Sequence, residues 1–340
     1  MMPGYEPPFK LNNNILRLVA EISNAVGRLS VVFEQSQLRL RKVNRMRTIQ
    51  GSLAIEGNTL TEEQITAILD GKRVIAPPKE VQEAHNAIAV YEQLENWQGE
   101  HEQDLLAAHK TLMLGLVSEA GQYRSGGVGV MSGSQVVHMA PQAARIPKLM
   151  ADLFTWVAKT DAHALIVSCV FHYEFEFIHP FTDGNGRMGR LWQTLLLAKW
   201  QPVFANIPVE SLVYQHQSRY YQAIQESTAC GESTPFIEFM LQMILDAVTE
   251  LSQTPNVGVN VGVNVGVSVG ANVGVNSLKL SALQVQILTI LKDSPQTTVQ
   301  QLAQAAEKSP RTIERHLKIL RENRLIERIG ADKTGHWKVL

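Results

Sequence analysis

Apolar residues recur every three or four positions through most of the first 250 residues, the spacing of one buried helical face. The run LRLVAEISNAVGRLS at 16–30 is the clearest case. A longer, more polar helix is expected over 35–55, stopping at Glu56-Gly57-Asn58, where Gly57 suits a left-handed helix end. Thr61-Glu62-Glu63-Gln64 has the form of a capping box, in which hydroxyl and amide each accept from the other residue's backbone N–H. The helix it opens should end near Gly71. Pro77-Pro78 starts another, and further helices are expected over 101–116, 146–159, 162–178, 191–200 and 235–251.

Three stretches break the helical period. RSGGVGVMSGSQVVHMAP (124–141) combines glycines with alternating valines and predicts a β-hairpin with strands near 128–131 and 136–139. Residues 256–276 repeat NVGV with one SVGA variant. Valine at every second position is a strand period, but the glycines weaken it; a linker is the first reading, and a valine-faced strand pairing with another chain is the second. From Leu278 onward three helices are expected, over 280–292, 298–306 and 309–323. Thr297 or Thr298 caps the second, and Ser309-Pro310 supplies the N-cap and first turn of the third. LIERIG and HWKVL then read as two short strands, completing a winged helix-turn-helix.

Composition changes this picture in three ways. A chain of 340 residues is long for one core, so two or three domains are expected. Only two cysteines occur, Cys169 and Cys230; with no disulfide framework and no apolar signal core at MMPGYEPPFK, a cytoplasmic protein without a membrane span is expected. Overall charge is close to zero, yet residues 278–340 hold eleven Lys and Arg against six Asp and Glu. That asymmetry points to duplex DNA as a partner, with Arg311, Arg315 and Lys318 on the recognition helix and Lys333 on the wing. A protein-interaction or dimerisation module is the other reading of such a domain.

The densest chemistry lies in HPFTDGNGRMGR, 179–190. His179 precedes a proline and so closes the helix before it. Gly184-Asn185-Gly186 turns the chain into a new helix, whose first N–H groups and positive dipole end receive anions. Arg187 and Arg190 lie three apart on that helix and suit phosphate oxygens through their planar forks. Asp183 offers one carboxylate, which together with phosphate oxygens is a common way to hold Mg²⁺. His179 is the one neutral-pH base of the segment and can take a proton from a hydroxyl. Together these read as a nucleoside triphosphate site with a base for an acceptor. GNGRMG also fits the dinucleotide pattern G-x-G-x-x-G, but the strand and βαβ context that pattern needs is missing.

HPFTDGNGRMGR resembles the full motif of the Fic family, HPFx[D/E]GNGRxxR, at every defined position. HYEFEFIHPF is similar to the family's lead-in helix, VGVMSGSQVVHMAP to its flap, and PPFKLNNNILRLVAEISNAVGRL to the N-terminus of bacterial members with a C-terminal winged helix. The resemblance implies a mainly α fold, a helical bundle with a hairpin flap. It also implies a protein adenylyltransferase, which moves AMP from ATP to Ser, Thr or Tyr hydroxyls of target proteins or of itself, with Mg²⁺. In those terms His179 is the base and Phe181 anchors the loop. Gly184, Asn185 and Gly186 hold the α- and β-phosphates, Thr182 belongs to the same nucleotide site, and Asp183 holds the metal. Arg187 meets the β-phosphate and Arg190 the γ-phosphate. Tyr214 and Tyr221 are candidates for adenine stacking, with an ordinary structural tyrosine the competing reading for each. Val136, Val137, His138 and Met139 form the flap edge.

Ser52-Leu53-Ala54-Ile55-Glu56-Gly57 matches the family's inhibitory pattern [S/T]xxxE[G/N]. Taken by itself, Glu56 at a helix C-terminus meets the negative end of the dipole and wants a cation. The resemblance makes Arg190 that cation and Glu56 an inhibitor of γ-phosphate seating; in some relatives the same glutamate orients a water that removes AMP from the target. The organisation expected is an N-terminal helical region with the inhibitory helix over 1–100, a catalytic domain over 101–252, a linker over 253–277 and a winged helix-turn-helix over 278–340. A homodimer is compatible with the resemblance. A DNA-binding regulator whose nucleotide site only senses is the alternative function.

Overall fold

The structure is a computed structural model. It describes residues 5–34, 38–127, 129–132 and 135–253, and in the C-terminal part 287–288, 290–291, 296–305, 312–313, 316–317, 320–321, 326–329 and 336–339. The chain divides into two compact units, Met1–Asn260 and Val261–Leu340.

In the first unit, α1 (Asn13–Glu34) begins where the Asn12 side chain accepts from the Ile15 N–H at 3.0 Å, an N-cap. It buries Ile15, Leu18, Ile22, Val26 and Leu29 at the expected spacing, against α11 (Thr234–Gln253). Helix α2 (Leu38–Ile55) packs on α9 (Val209–Gln215), and its end is tied down by Gln217, whose amide donates to Ile55 O at 2.7 Å. Gly57 follows with φ of 88°, the left-handed stop that the sequence predicts. The capping box at Thr61 is formed and opens α3 (Glu62–Leu69); α4 (Pro78–Glu92) and α5 (Glu102–Leu112) follow.

The hairpin pairs β1 (Gly129–Ser132) with β2 (Gln135–Met139) antiparallel, Val130 opposite His138, with a bulge at Val130/Met131. After α6 (Ile146–Lys159), helix α7 (Ala164–Ile178) is buried from Leu165 through Phe175. A helix apolar on nearly every side is a core helix, and α7 lies against α8 (Asn185–Trp200) at the centre of the unit. Between α8 and α11 the chain forms α9 and α10 (Gln217–Cys230), which the apolar spacing does not predict. Of α10 only Tyr220, Ala223 and Ser227 are buried, a stripe one residue wide that leaves little periodicity to read. Cys169 sits in the α7 core, where burial pushes its thiol up to about 12.

In the second unit Thr298 and Gln301 form a capping box at the start of α12 (Val299–Ala305): Thr298 N donates to Gln301 Oε1 at 2.8 Å and Gln301 N to Thr298 Oγ1 at 3.3 Å. Residues 287–288, 290–291 and the described positions between 312 and 321 are helical. Strands β3 (Ile326–Ile329) and β4 (His336–Val339) pair antiparallel. Ile287, Leu291, Leu302, Ile313, Leu317, Leu320, Ile326 and Trp337 form its core, the arrangement of a winged helix-turn-helix. Both units together make a mainly α protein. Among the described residues no helix is long and apolar enough to cross a membrane. The NVGV repeat at 256–276 lies outside the described residues.

Candidate functional site

Helix α7 ends at His179, whose φ of 50° and ψ of 61° make it the one described non-glycine residue in the left-handed region. Pro180 forbids continuation, yet the His179 N–H still bonds Phe175 O at 2.9 Å. Such a conformation is sparsely populated for side chains other than Asn, Asp and His. It turns the imidazole out of the helix while the ring remains largely covered, 17% exposed, with Nδ1 3.8 Å from Glu176 Oε2. Burial pushes the Glu176 carboxyl up to about 7, against the opposing pull of Arg190.

The next turn is built from the inside. Phe181 is fully buried and its ring stacks on His109, centroids 3.6 Å apart and planes 4° apart. Gly121 N donates to His109 Nδ1 at 2.8 Å, so the ring proton sits on Nε2 and is donated to Asp183 O at 3.0 Å. Burial pushes His109 down to about 4 and keeps it neutral. The Asn185 side chain closes the loop, accepting from Phe181 N and donating to Phe181 O, both at 2.9 Å. Thr182 Oγ1 donates to Glu119 at 2.9 Å on the surface side. Gly184, with φ of 84°, is the N-cap of α8, and Asp183 Oδ1 accepts from Gly184 N at 2.6 Å.

Both arginines of α8 are buried and both reach the N-terminal helices. Arg187 donates to Asp183 Oδ1 at 3.3 Å and to Glu83 Oε1 at 3.4 Å. Arg190 donates from Nε to Ser52 Oγ at 3.1 Å, and from Nη2 to Ser52 O at 3.0 Å and Glu56 Oε1 at 2.7 Å. Glu56 also stands over the start of α8, since a Cβ built on Gly186 would run into its Oε1. The Glu56 carboxylate therefore touches both a cation and the positive helix end, the place where an anion is most stabilised. Asn58 continues the connection, donating to Glu83 Oε2 at 2.9 Å.

The sequence-predicted residues Ser52, Glu56, His179, Phe181, Asp183, Asn185, Arg187 and Arg190 thus come together. Tyr221 is 40% exposed, and burial followed by the nearby Glu56 charge holds its phenol above the ordinary value. Tyr214, 42% exposed on α9, has no hydrogen bond or ring contact to the motif among the described residues. Val136, Val137, His138 and Met139 lie on β2. Arg311, Arg315, Lys318 and Lys333 lie outside the described residues. Four contributors escape the sequence reading: Glu83, Glu176, His109 and Arg124. Buried Arg124 donates from Nε to His179 O at 2.8 Å, from Nη1 to Gly126 O at 2.7 Å and from Nη2 to Pro141 O at 2.6 Å.

A glycine turn and two buried arginines lie at a helix start, next to a histidine turn, on a helical bundle with a hairpin, an arrangement that can receive an anion beside a histidine. The family model described as Fic/DOC family matches residues 99–197, and that of the bacterial regulatory proteins of the arsR family matches residues 282–328. The crystal structure of a Fic family protein from Desulfovibrio desulfuricans is similar with a TM-score of 0.72 and 44% identity, over 99% of this chain and 98% of that one. The chain belongs to the Fic family. It is also similar to proteins named Protein adenylyltransferase Fic: from Nematostella vectensis, 30% identical over 205 residues (56% of this chain, 45% of the relative), and from Aedes aegypti, 29% identical over 235 residues (63% and 44%). The chain spans about half the length of these curated relatives.

Proposed function

We propose that this protein is a protein adenylyltransferase that moves AMP from ATP to a Ser, Thr or Tyr hydroxyl of a protein, its own hydroxyls included. The observation that carries the reading is the sequence of groups around one turn: His179, the glycine-capped start of α8, then Arg187 and Arg190 buried within the first two turns. The N–H groups of that turn and the Asn185 loop cradle the α- and β-phosphates, Arg187 takes the β-phosphate and Arg190 the γ-phosphate. His179 accepts the proton of the incoming hydroxyl. The hydroxyl oxygen bonds to the α-phosphorus as the bond from that phosphorus to the bridging α–β oxygen breaks, and pyrophosphate leaves with those electrons. Loop amides and arginines already aimed at the phosphates stabilise the charge that develops. The β2 edge aligns the acceptor segment by backbone pairing, and Tyr221, beside Glu56, is the better of the two tyrosine candidates for the adenine side.

Asp183 suits Mg²⁺: it is a hard oxygen donor, 47% exposed, and among the described residues only its Oδ1 is engaged, by Gly184 and Arg187. Bound there together with phosphate oxygens, the ion would neutralise charge on the departing pyrophosphate. The names of the curated relatives support the activity, and the Glu56–Arg190 bond supports restraint of it, because the γ-phosphate and Glu56 would compete for one guanidinium.

ATP labelled at its α-phosphate should transfer label to protein, and ATP labelled at its γ-phosphate should not. Label from the γ-position would make the site a kinase, and none from either would favour the second reading, a DNA-binding regulator that senses nucleotide. The arsR-family match over residues 282–328 supports duplex DNA as a partner on either reading.

A further inference from the structure

We infer that Arg124 is a positioning residue that sets the distance between the hairpin flap and the His179 base. The inference rests on the transferase reading for its functional consequence, but its structural content stands on the hydrogen bonds alone. Arg124 is 3% exposed. Its backbone N–H donates to Pro180 O at 2.9 Å, Nε to His179 O at 2.8 Å and Nη2 to Ile178 O at 3.4 Å. Three consecutive carbonyls at the end of α7 are thus taken by one residue. Ile178 O and His179 O stand at the end of the helix and its cap, where carbonyls lack intrahelical partners and the dipole is negative, and Pro180 O follows directly after. Burying a guanidinium is costly unless its donors are used, and here charge-assisted bonds to carbonyls use them.

The same guanidinium also holds Gly126 O at 2.7 Å and Pro141 O at 2.6 Å. Gly126 lies three residues before β1 and Pro141 two residues after β2. Both roots of the hairpin and the turn that carries the base therefore meet on one planar group. A two-stranded hairpin has little stability of its own, so its placement depends on how its roots are held. The left-handed His179 likewise persists only because its surroundings over-determine it. An acceptor hydroxyl aligned along β2 meets His179 at a distance fixed by the Arg124 fork. Lysine cannot replace it, since one ammonium has neither the planar fork nor the reach to both roots and the helix end.

The test uses the full chain carrying Glu56→Gly, with Arg124→Met and Arg124→Lys added separately. A misplacement of about 1 Å costs on the order of a hundredfold in rate, so kcat for self-labelling should fall about that far in Arg124→Met. The equilibrium affinity for ATP should stay within about twofold, because the hydrogen bonds of Arg124 go to Gly126, Pro141, Ile178, His179 and Pro180 and not to the groups assigned to the phosphates. Arg124→Lys should recover only a small part of the rate. Hydrogen exchange provides a readout independent of activity: segments 126–141 and 178–181 should lose protection together while 165–175 keeps it. A folded Arg124→Met variant with kcat within about threefold of its parent overturns the inference. So does loss of protection in one segment alone, in neither, or across α7 as a whole. If the parent transfers no label, the transferase reading has failed, and the exchange result still decides whether Arg124 couples flap and turn.

Discussion

Arg190 Nη2 donates to Glu56 Oε1 at 2.7 Å, across 134 residues of sequence, while Ser52 holds the same guanidinium through its hydroxyl and its carbonyl. Arg190 is 2% exposed and the Glu56 side chain 33%, so the acid is the half of the pair that can leave. Glu56→Gly should raise self-labelling. Charge-assisted bonds contribute about 1.5–3 kcal/mol, which corresponds to roughly ten- to a hundredfold in rate. The gain should depend on Arg190: in an Arg190→Ala background Glu56→Gly should add little. Equal labelling by wild type and Glu56→Gly across a range of ATP concentrations would remove the inhibitory role.

His179→Ala should abolish transfer and keep ATP binding. On the proposed reading the imidazole acts on the acceptor, whereas the N-terminus of α8 and its arginines hold the nucleotide. Equilibrium binding and transfer measured on the same preparation separate the two, and transfer at the native rate would reassign the base.

His109 makes a prediction about pH. Its folded value is depressed to about 4 by burial, from an ordinary 6.5. The unfolded chain therefore binds the proton first as pH falls, and the stability contributed above 6.5 is lost progressively between 6.5 and 4. From pH 6.5 to 5 the loss is about 1.5 kcal/mol. His172, buried and pushed down to about 3, acts in the same direction, while Glu176 and Glu210, pushed up to about 7 by burial, favour the folded state at lower pH. The informative quantity is thus the difference between wild type and His109→Gln. Denaturant unfolding of the variant should show an acid-side slope flatter by about that amount, and parallel curves would mean that His109 is not held neutral.

Much of the site is legible in sequence because its chemistry is local. HPFTDGNGRMGR carries a histidine, a carboxylate, a turn and both arginines within one and a half helical turns and a loop, so these members of the candidate site are neighbours in sequence before they are neighbours in space. The Glu56–Arg190 contact is long-range, and only the resemblance joins the two; the dipole argument says that Glu56 needs a cation, not which one. Arg124 is illegible for a different reason. Its partners are backbone carbonyls, which leave no mark in the sequence, and it opens a glycine-rich run that reads as the approach to a hairpin. His109 sits on an ordinary amphipathic helix, and its stack on Phe181 requires a turn distant in sequence to be placed first. Helices α9 and α10 are missed because a break at His216 shortens one and a narrow buried stripe weakens the period of the other.

The second unit makes the last prediction. Its eleven Lys and Arg against six Asp and Glu should support duplex DNA binding that weakens steeply with salt, since each neutralised phosphate releases a counterion and adds about −0.9 to the slope of log K against log salt. Arg311 and Arg315 lie four apart, on one face of the third helix that the sequence predicts, with Lys318 one turn on and Lys333 at the wing. If these four contact phosphates, replacing all of them by Ala in the full chain should flatten the slope by roughly 3–4 and weaken binding to every duplex about equally. A residue that reads a base edge would instead lower discrimination between sequences and leave the slope less changed. The nucleotide site offers an internal control. The same quadruple variant should still label itself in the Glu56→Gly background, because His179, Arg187 and Arg190 all belong to the first unit. A wild-type chain that binds no duplex at low salt would leave the second unit as a protein-interaction module, with its positive charge directed at an acidic partner.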